Sequence, residues 1–269
     1  MPAIFTARSA GGPVGKSLSG CLLDADTREV LAAVEPDVVR PTASVGKVLL
    51  LIAIAQSLAD GRLDPDRSIP RLEADAVADS GLWQHLQQSS LSVVDLAVLV
   101  GAVSDNLATN VLLRLVGVSA AGAVADMLDL KVTRLHDRVR DVRGPQDPPT
   151  LSTGSAVELA GLFGRLHRAE VVGSAVGTRV LDWLNLDTDT SMVAGAFGLD
   201  PLAHAAADRG RWLAHKTGTD VGVRADVGLL RGPLRSVAYA VLAEFDDGRR
   251  DEVLAEMRDW GLRIVEFAG

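Results

Sequence analysis

Ser44 and Lys47, three residues apart, are the pair whose types and spacing could perform nucleophilic chemistry. At that spacing on a helix the two side chains lie on one face. Residues 48–55, next along the chain, are all apolar, so the ammonium would be partly desolvated and its pKa lowered. Such a lysine can accept the proton of a serine hydroxyl and activate it. The alternative is a serine that caps the helix, followed by a solvated lysine.

A second polar group, Ser104-Asp105-Asn106, interrupts two apolar runs with helical spacing. Two interpretations are open. The triplet is either a simple helix break or a cluster of polar side chains directed into a cleft, and alone it favours the break.

A third group, Lys216-Thr217-Gly218-Thr219, stands at the end of a predicted strand. Alternation along the strand places Lys216 and Gly218 on one face. Glycine would let a substrate backbone lie close to this edge, and the lysine would supply a cation. His215 should then face the other side, where a packing role is expected.

The motifs S-x-x-K, S-D-N and K-T-G, in this order, are the set of class A β-lactamases and penicillin-binding proteins. The chain resembles that family over most of its length, including PTASVGKVLLL, ADGRLDPD, SGLWQHL, VSDNLATNVLL and HKTGTDVGVRADVGLL. The resemblance implies an α/β (α+β) fold, in which helices flank an antiparallel sheet and an all-helical domain is inserted. No metal or other cofactor is expected.

The resemblance also implies roles in acylation. Ser44 would be the acylated nucleophile, Lys47 its proton-transfer partner, and Ser104 the relay to the leaving nitrogen. The backbone N–H groups of Ser44 and Thr219 would form the oxyanion hole.

Substrate binding is implied for a further set of residues. Asn106 would bind the side-chain amide of a small-molecule substrate, and Lys216 and Thr217 would bind its carboxylate beside Gly218. Arg224, in the next strand, is a further carboxylate candidate or an ordinary surface arginine.

The irregular segment 137–153 departs from the family pattern, which has a glutamate within E-x-x-L-N to activate the deacylating water. This loop contains no glutamate. Asp141 lies closest to the expected position, and Asp137 is the next candidate. The shorter side chain would displace the water, and displacement on that scale costs about a hundredfold in rate. Alternatively, both aspartates pair with the arginines of the same loop.

Hydrophobic patterning predicts strands at both ends of the chain and helices between them. A β-hairpin is predicted over 18–23 and 29–34, and a buried helix over 44–61. Helical spacing continues over 68–130, with helices at 92–103, 107–115 and 119–130, and returns at 155–168 and 174–185. Strands come after Trp212, and an amphipathic helix closes the chain.

This order predicts a discontinuous sheet domain, an inserted helical domain and an active site between them. The sheet domain would comprise residues 1–40 and 205–269, and the helical domain residues 41–204.

Charge and composition exclude several classes of partner. A net charge of −8 argues against a nucleic-acid surface, and the longest apolar run is too short to span a membrane. The N-terminus lacks a secretory signal pattern, so a cytoplasmic protein is expected. It is also expected to be a monomer. Residues 10–17, AGGPVGKS, nearly match a phosphate-binding loop, but the next residues, LSGCLLDADT, predict a strand and a turn instead of the required helix.

Three functions are compatible with these observations. The first is a serine hydrolase acting on a β-lactam or related amide or ester. The second is a peptidase, esterase or acyl-transferase of the same fold. The third is a penicillin-binding sensor that keeps its acyl adduct.

Overall fold

The computed structural model describes residues 15–203 and 205–269. Residues 10–14 of the phosphate-loop-like stretch therefore lie outside the described residues. Its last two residues, Lys16 and Ser17, begin a strand. A phosphate loop must open a helix, so this requirement is not met there.

Five antiparallel strands form the main sheet in the order β2-β1-β10-β9-β8. These are β1 (Lys16–Asp24), β2 (Val30–Val34), β8 (Trp212–Asp220), β9 (Val223–Arg231) and β10 (Ser236–Phe245). Five short strands lie between them in sequence: β3 (Arg40–Pro41), β4 (Ser68–Pro70), β5 (Ser90–Ser92), β6 (Arg134–Leu135) and β7 (Ser152–Gly154). The predicted hairpin is confirmed as β1 and β2.

The described residues contain seven α-helices. They are α1 (Lys47–Ala59), α2 (Val93–Val103), α3 (Asn106–Val116), α4 (Val118–Met127), α5 (Ala156–His167), α6 (Ser174–Leu184) and α7 (Arg250–Ala268). The helical expectation for residues 68–91 is wrong. That segment holds β4, β5 and two short 3-10 turns, and Gly81 within it has a φ of +126°, which no α-helix accommodates.

Alternation along β10 gives the sheet two apolar faces. Val237 and Tyr239 join a cluster with α7, whereas Ala238 and Ala240 join the larger cluster that contains α1 and α5. Helix α1 lies within the larger cluster and packs on α2, α3, α4 and α6. A helix surrounded in this way must be apolar on nearly every side, which explains the run at residues 48–55.

The predicted fold class is confirmed: helices flank an antiparallel sheet, and a helical segment is inserted between strands from the two ends of the chain. Helix α5 falls within the segment predicted as the insertion and packs on β1 and β10. The exact division at residues 40 and 205 stays a prediction. Among the described residues, no single helix has the length and apolarity to cross a membrane, and α3 with α4 meet both criteria only as a pair bent by 79°.

A buried polar network lies against β8 and β9. The Tyr239 hydroxyl donates to Asp226 Oδ1 at 3.0 Å, and His215 Nδ1 lies 3.1 Å from the same oxygen. The other carboxylate oxygen accepts the Ala194 N–H at 3.1 Å. All three side chains are fully buried, so each bond replaces one that water would make.

We predict that Tyr239→Phe lowers the free energy of unfolding by about 1.5–3 kcal/mol, because it deletes a hydrogen bond to a buried carboxylate. Urea denaturation measures the change. Ser119→Ala, which removes an exposed hydroxyl from the first turn of α4, is the control and should stay within about 0.5 kcal/mol of the parent protein. Equal effects of the two substitutions would contradict the prediction.

Candidate active site

Ser44 lies in a 3-10 turn, Ala43–Gly46, that leads directly into α1. The N-cap of α1 is Gly46, and no side chain caps either the turn or the helix. The capping interpretation of Ser44 is therefore wrong. Ser44 instead lines a cavity, described below.

The turn that carries Ser44 is held by Ser152 of β7. The Thr42 N–H donates to the Ser152 carbonyl at 3.0 Å, and the Ser152 hydroxyl donates to the Ala43 carbonyl at 2.6 Å. Ala43 has a φ of +46°, in the left-handed region that costs a non-glycine residue energy. The two hydrogen bonds offset this strain and fix the backbone next to Ser44.

Gly218 of β8 holds the other side of the same turn. A Cβ added at Gly218 would lie 2.2 Å from the Thr42 carbonyl oxygen and 3.2 Å from Val45 Cγ2. The space that a side chain would need is thus occupied by the turn. That a substrate backbone lies along the edge of this strand stays a prediction. Glycine is required here so that the Ser44 turn can pack directly on the strand.

Lys47 is fully buried on the first turn of α1. Its Nζ donates to the Ser104 carbonyl at 2.7 Å, to Asn106 Oδ1 at 2.7 Å and to Ser104 Oγ at 3.2 Å. Burial lowers the pKa of Lys47 well below its usual value, and the positive charge of Lys216 lowers it further. The neutral amine, which can accept a proton, is therefore stabilised at this position.

The Ser104-Asp105-Asn106 triplet both breaks the helix and directs polar groups into the site. Ser104 ends α2 in the left-handed conformation, with φ +54°. Asp105 caps α3 by accepting the Ala108 N–H at 2.8 Å, and its other oxygen accepts the N–H groups of Leu82 and Trp83. The bend that results brings Ser104 and Asn106 together around Lys47.

Ser44 lies in the wall of a cavity that has a volume of about 140 Å³. Its lining residues are Ser44, Ser80, Val103, Ser104, Asp187, Thr188, Asp189, Thr217 and Thr219. The structure thus brings four of the predicted site residues into one cavity. Three more are bonded to its wall or to one another: Lys47 Nζ lies 3.2 Å from Ser104 Oγ, Asn106 accepts from Lys47, and Lys216 Nζ donates to the Thr217 carbonyl at 3.1 Å.

Asp187 could not be identified from the sequence. Its Oδ2 lies 3.4 Å from Lys216 Nζ, and both residues are almost fully buried. A buried lysine is stabilised either by a compensating negative charge or by a lowered pKa, and for Lys216 the structure shows the first of these. The sequence offers no spacing that selects Asp187 among the 35 acidic residues.

Asp189 was missed as well. Its Oδ1 accepts the Ser191 hydroxyl at 2.6 Å and the Ser191 N–H at 3.2 Å. Burial raises the pKa of Asp189, but hydrogen bonds from Ser191 and Thr217 and the charge of His215 lower it by more. The pKa is therefore lowered overall, and the carboxylate is ionised at neutral pH. Residues 185–191, NLDTDTS, resemble an ordinary polar turn, so the sequence does not distinguish Asp187 and Asp189 as site residues.

Arg224 pairs in register with Thr219, but its guanidinium is engaged at the β8–β9 turn. Nη1 donates to the Asp220 carbonyl at 2.8 Å and to the Val223 carbonyl at 2.7 Å. The guanidinium also lies 5.7 Å from the centre of the Phe245 ring. Arg224 does not line the Ser44 cavity.

The two loop aspartates lie outside this cavity. Asp141 is exposed, accepts the Ala78 N–H at 2.8 Å and lines a separate cavity with Glu73 and Leu107. Asp137 accepts Arg140 Nε at 2.6 Å and Arg143 Nη1 at 2.9 Å. Pairing with the arginines of the loop, the alternative expected for both aspartates, is thus confirmed for Asp137. Asp141 accepts a hydrogen bond from a backbone N–H instead.

Comparison with known proteins identifies the family. Residues 8–267 match the model of the beta-lactamase enzyme family, so the chain belongs to this family. An ancestral class A β-lactamase, reconstructed for the last common ancestor of Gram-negative bacteria, is 27% identical, with a TM-score of 0.77 and coverage of 94% of this chain and 95% of that one.

Two further solved structures share the fold. The β-lactamase of Sphaerobacter thermophilus is 23% identical, with a TM-score of 0.79 over 92% of this chain and 91% of that one. A variant of PBP-A, solved as an acyl-enzyme complex with penicillin G, is 22% identical, with a TM-score of 0.76 over 94% of this chain and 91% of that one.

We predict that Gly218→Ala moves the Ser44 turn away from β8, because the new Cβ and the Thr42 carbonyl cannot share the same space. The expected cost is about 1–3 kcal/mol of stability for the overpacking. With Ser44 as the predicted nucleophile, its displacement should slow acylation about a hundredfold. Urea denaturation and intact-mass kinetics with a penicillin measure the two effects.

The matched control is Gly122→Ala. An added Cβ at Gly122, in α4, meets nothing within 4 Å. Alanine there should stabilise the protein by about 0.5–1 kcal/mol without changing acylation. A Gly218→Ala protein that acylates at the parent rate would show that the turn does not depend on this contact.

Proposed function

We propose that this protein is a serine hydrolase of β-lactamase type that forms an acyl-enzyme on Ser44 with a β-lactam or a related amide or ester. The observation that carries the proposal is the fully buried Lys47 beside Ser104, at the cavity that Ser44 lines. Family membership supports the same chemistry.

The hydrogen bonds of Lys47 support a specific route for the proton. The Ser104 carbonyl and Asn106 Oδ1 can only accept, so they hold two N–H groups of the amine. The Ser104 hydroxyl can also donate, so donor and acceptor can exchange in its longer contact of 3.2 Å with Lys47 Nζ. Neutral Lys47 takes the Ser44 proton as Oγ attacks the carbonyl carbon, and Ser104 passes a proton to the leaving nitrogen.

The negative charge that develops on the carbonyl oxygen during attack needs hydrogen-bond donors close to Ser44. We assign the N–H groups of Ser44 and Thr219 to this role, because both residues line the one cavity. Backbone donors fixed by a turn and a strand need no reorganisation during the reaction. The C–N bond then breaks and leaves an ester on Ser44, which water must hydrolyse.

A penicillin-binding protein with slow turnover is the second candidate function. The placement of Asp137 and Asp141 favours it, since neither lines the cavity of Ser44. A PBP-A variant of this fold forms an acyl-enzyme with penicillin G, which supports an adduct that persists. Deacylation through Asp141 stays the competing hypothesis.

Time-resolved intact-mass spectrometry with a penicillin tests the proposal. The parent protein should gain the mass of one penicillin within the time course, and Ser44→Ala should gain none. An adduct that forms equally on Ser44→Ala, or no reaction with penicillins and acyclic esters alike, would contradict the assignment. In the same experiment Asp141→Asn should leave the decay of the adduct unchanged, whereas slower decay would identify Asp141 as the base.

We predict that kcat/KM falls as the pH decreases through the lowered pKa of Lys47, because the ammonium cannot accept the Ser44 proton. The inflection should lie well below 10.5. Lys47→Arg should lower kcat/KM about 10²–10⁴-fold, since a guanidinium stays protonated. Lys131→Arg, at an exposed position, is the control and should keep the parent profile. An inflection near 10.5 would refute the role of Lys47.

A further inference from the structure

A cavity of about 450 Å³ lies between the β1–β2 turn and helix α5. Arg28, Arg165 and Arg168 line it together with Glu170, and Leu23 adds an apolar part of the wall. None of these residues lines the cavity of Ser44. Three guanidinium groups therefore share one carboxylate around a space of the size that small organic ligands occupy.

Glu170 binds two of the three arginines. Arg28 Nη2 donates to its Oε1 at 2.6 Å, and Arg168 donates from Nε to Oε1 at 3.1 Å and from Nη2 to Oε2 at 3.0 Å. The hydrogen bonds from Arg168, followed by that from Arg28, lower the pKa of Glu170, so the carboxylate is ionised at neutral pH. Three positive charges and one negative charge leave an excess of two positive charges on the lining residues, in a chain whose net charge is −8.

The carboxylates nearby do not remove this excess. Two lie at the turn of Arg28, and the charge of Arg165 acts on a third. Each has a basic partner of its own, and the pairs are Asp24 with Arg235, Asp26 with His167, and Asp129 with Lys131. The charge of Asp26 also acts on Arg231. Glu29, next to Arg28 in the sequence, is exposed, so water and salt screen its charge.

Two of the arginines keep most of their N–H donors for a ligand. In the described part of the chain, Arg28 makes its hydrogen bond to Glu170, and Arg165 makes one from Nη1 to the Leu128 carbonyl at 2.7 Å. A guanidinium has five N–H donors in a planar fork, which matches the oxygens of a phosphate. Arg28 also has a φ of +69°, in the left-handed region where glycine or asparagine is the usual turn residue. The turn alone therefore does not account for an arginine at this position.

Glycines form the helical side of the cavity. Gly161 and Gly164 line it from α5, and their spacing of three residues places them on one face of the helix. A Cβ added at Gly161 would meet nothing within 4 Å. Glycine in the interior of a helix is destabilising relative to alanine, so this open space is kept at a cost in stability.

We propose that the cavity of Arg28, Arg165 and Arg168 is a binding site for a small organic phosphate monoester. The dianion matches the excess of two positive charges, and the guanidinium forks of Arg28 and Arg165 bind its oxygens. Its organic part contacts Leu23 and the glycine face of α5. The site shares no lining residue with the Ser44 cavity, so the inference does not rest on the proposed acyl-enzyme chemistry.

Isothermal titration calorimetry with phenyl phosphate tests the inference, with inorganic phosphate and benzoate as comparison ligands. Phenyl phosphate should bind the parent protein more tightly than either, because inorganic phosphate lacks the apolar ring and benzoate carries a single charge. Added sodium chloride should weaken the binding, since salt screens the charges. Ser44→Ala should bind phenyl phosphate as the parent does.

Arg28→Gln and Arg165→Gln should each weaken the binding of phenyl phosphate about tenfold or more, because each removes charge-assisted hydrogen bonds. Arg28→Lys keeps the charge and loses the planar fork, so its affinity should lie between those of the parent and Arg28→Gln. The control is Arg62→Gln, which removes an exposed arginine that does not line this cavity, and it should bind as the parent does.

A variant that fills the cavity separates loss of the site from loss of folding. Gly161→Leu places a side chain in open space and raises helix propensity, so the protein should stay folded and lose the binding. Gly122→Leu, in α4, is the matched control, because an added Cβ there also meets nothing within 4 Å. It should bind phenyl phosphate as the parent does, and urea denaturation checks that both variants fold.

Three results would overturn the inference. The first is that phenyl phosphate at millimolar concentration does not bind the parent protein. The second is an affinity that Arg28→Gln, Arg165→Gln and Gly161→Leu leave unchanged, since the ligand then binds elsewhere. The third is equal affinity for phenyl phosphate and either comparison ligand, because the cavity then does not recognise a phosphate monoester. None of these results bears on the acylation of Ser44.

Discussion

The arrangement of the site depends on one buried lysine. Lys47 sits on the first turn of a helix that is enclosed by other helices, where an ammonium without partners would be strongly destabilised. Two acceptors hold it, and both come from the break between α2 and α3. The left-handed backbone of Ser104 and the cap at Asp105 follow from the need to place these acceptors. The same desolvation that makes the lysine costly also stabilises the neutral amine that can take up a proton.

A second buried lysine contrasts with the first. Lys216 has a carboxylate partner in Asp187, whereas the partners of Lys47 are neutral oxygens. One lysine therefore has a charged partner, whereas the pKa of the other is lowered and its neutral amine is stabilised. Their mutual repulsion lowers the pKa of Lys47 further. Two residues of one type thus acquire different roles from their surroundings alone.

The sequence predicted the fold class and most of the cavity wall because local patterns encode them. The motif residues Ser44, Ser104 and Thr217 lie in one cavity, and the hairpin of β1 and β2 has the expected strands. Prediction failed where contacts between residues far apart in the sequence determine the role of a residue. The reason for Gly218 is a carbonyl from a distant turn, and the counter-charge of Lys216 comes from residue 187, 29 positions away.

The order of the sheet leaves β8 at one edge, paired only with β9 in the main sheet. An unpaired strand edge is a template on which other chains can add and aggregate. Here the turn of residues 43–46 packs against β8, with Gly218 allowing the contact. A Cβ projects from the face of a sheet, so the contact at Gly218 places this turn on the face of β8 and β9 and does not cover the edge of β8. The main sheet alone therefore leaves β8 open to an added strand, and protection against aggregation has to come from the side chains and loops at that edge.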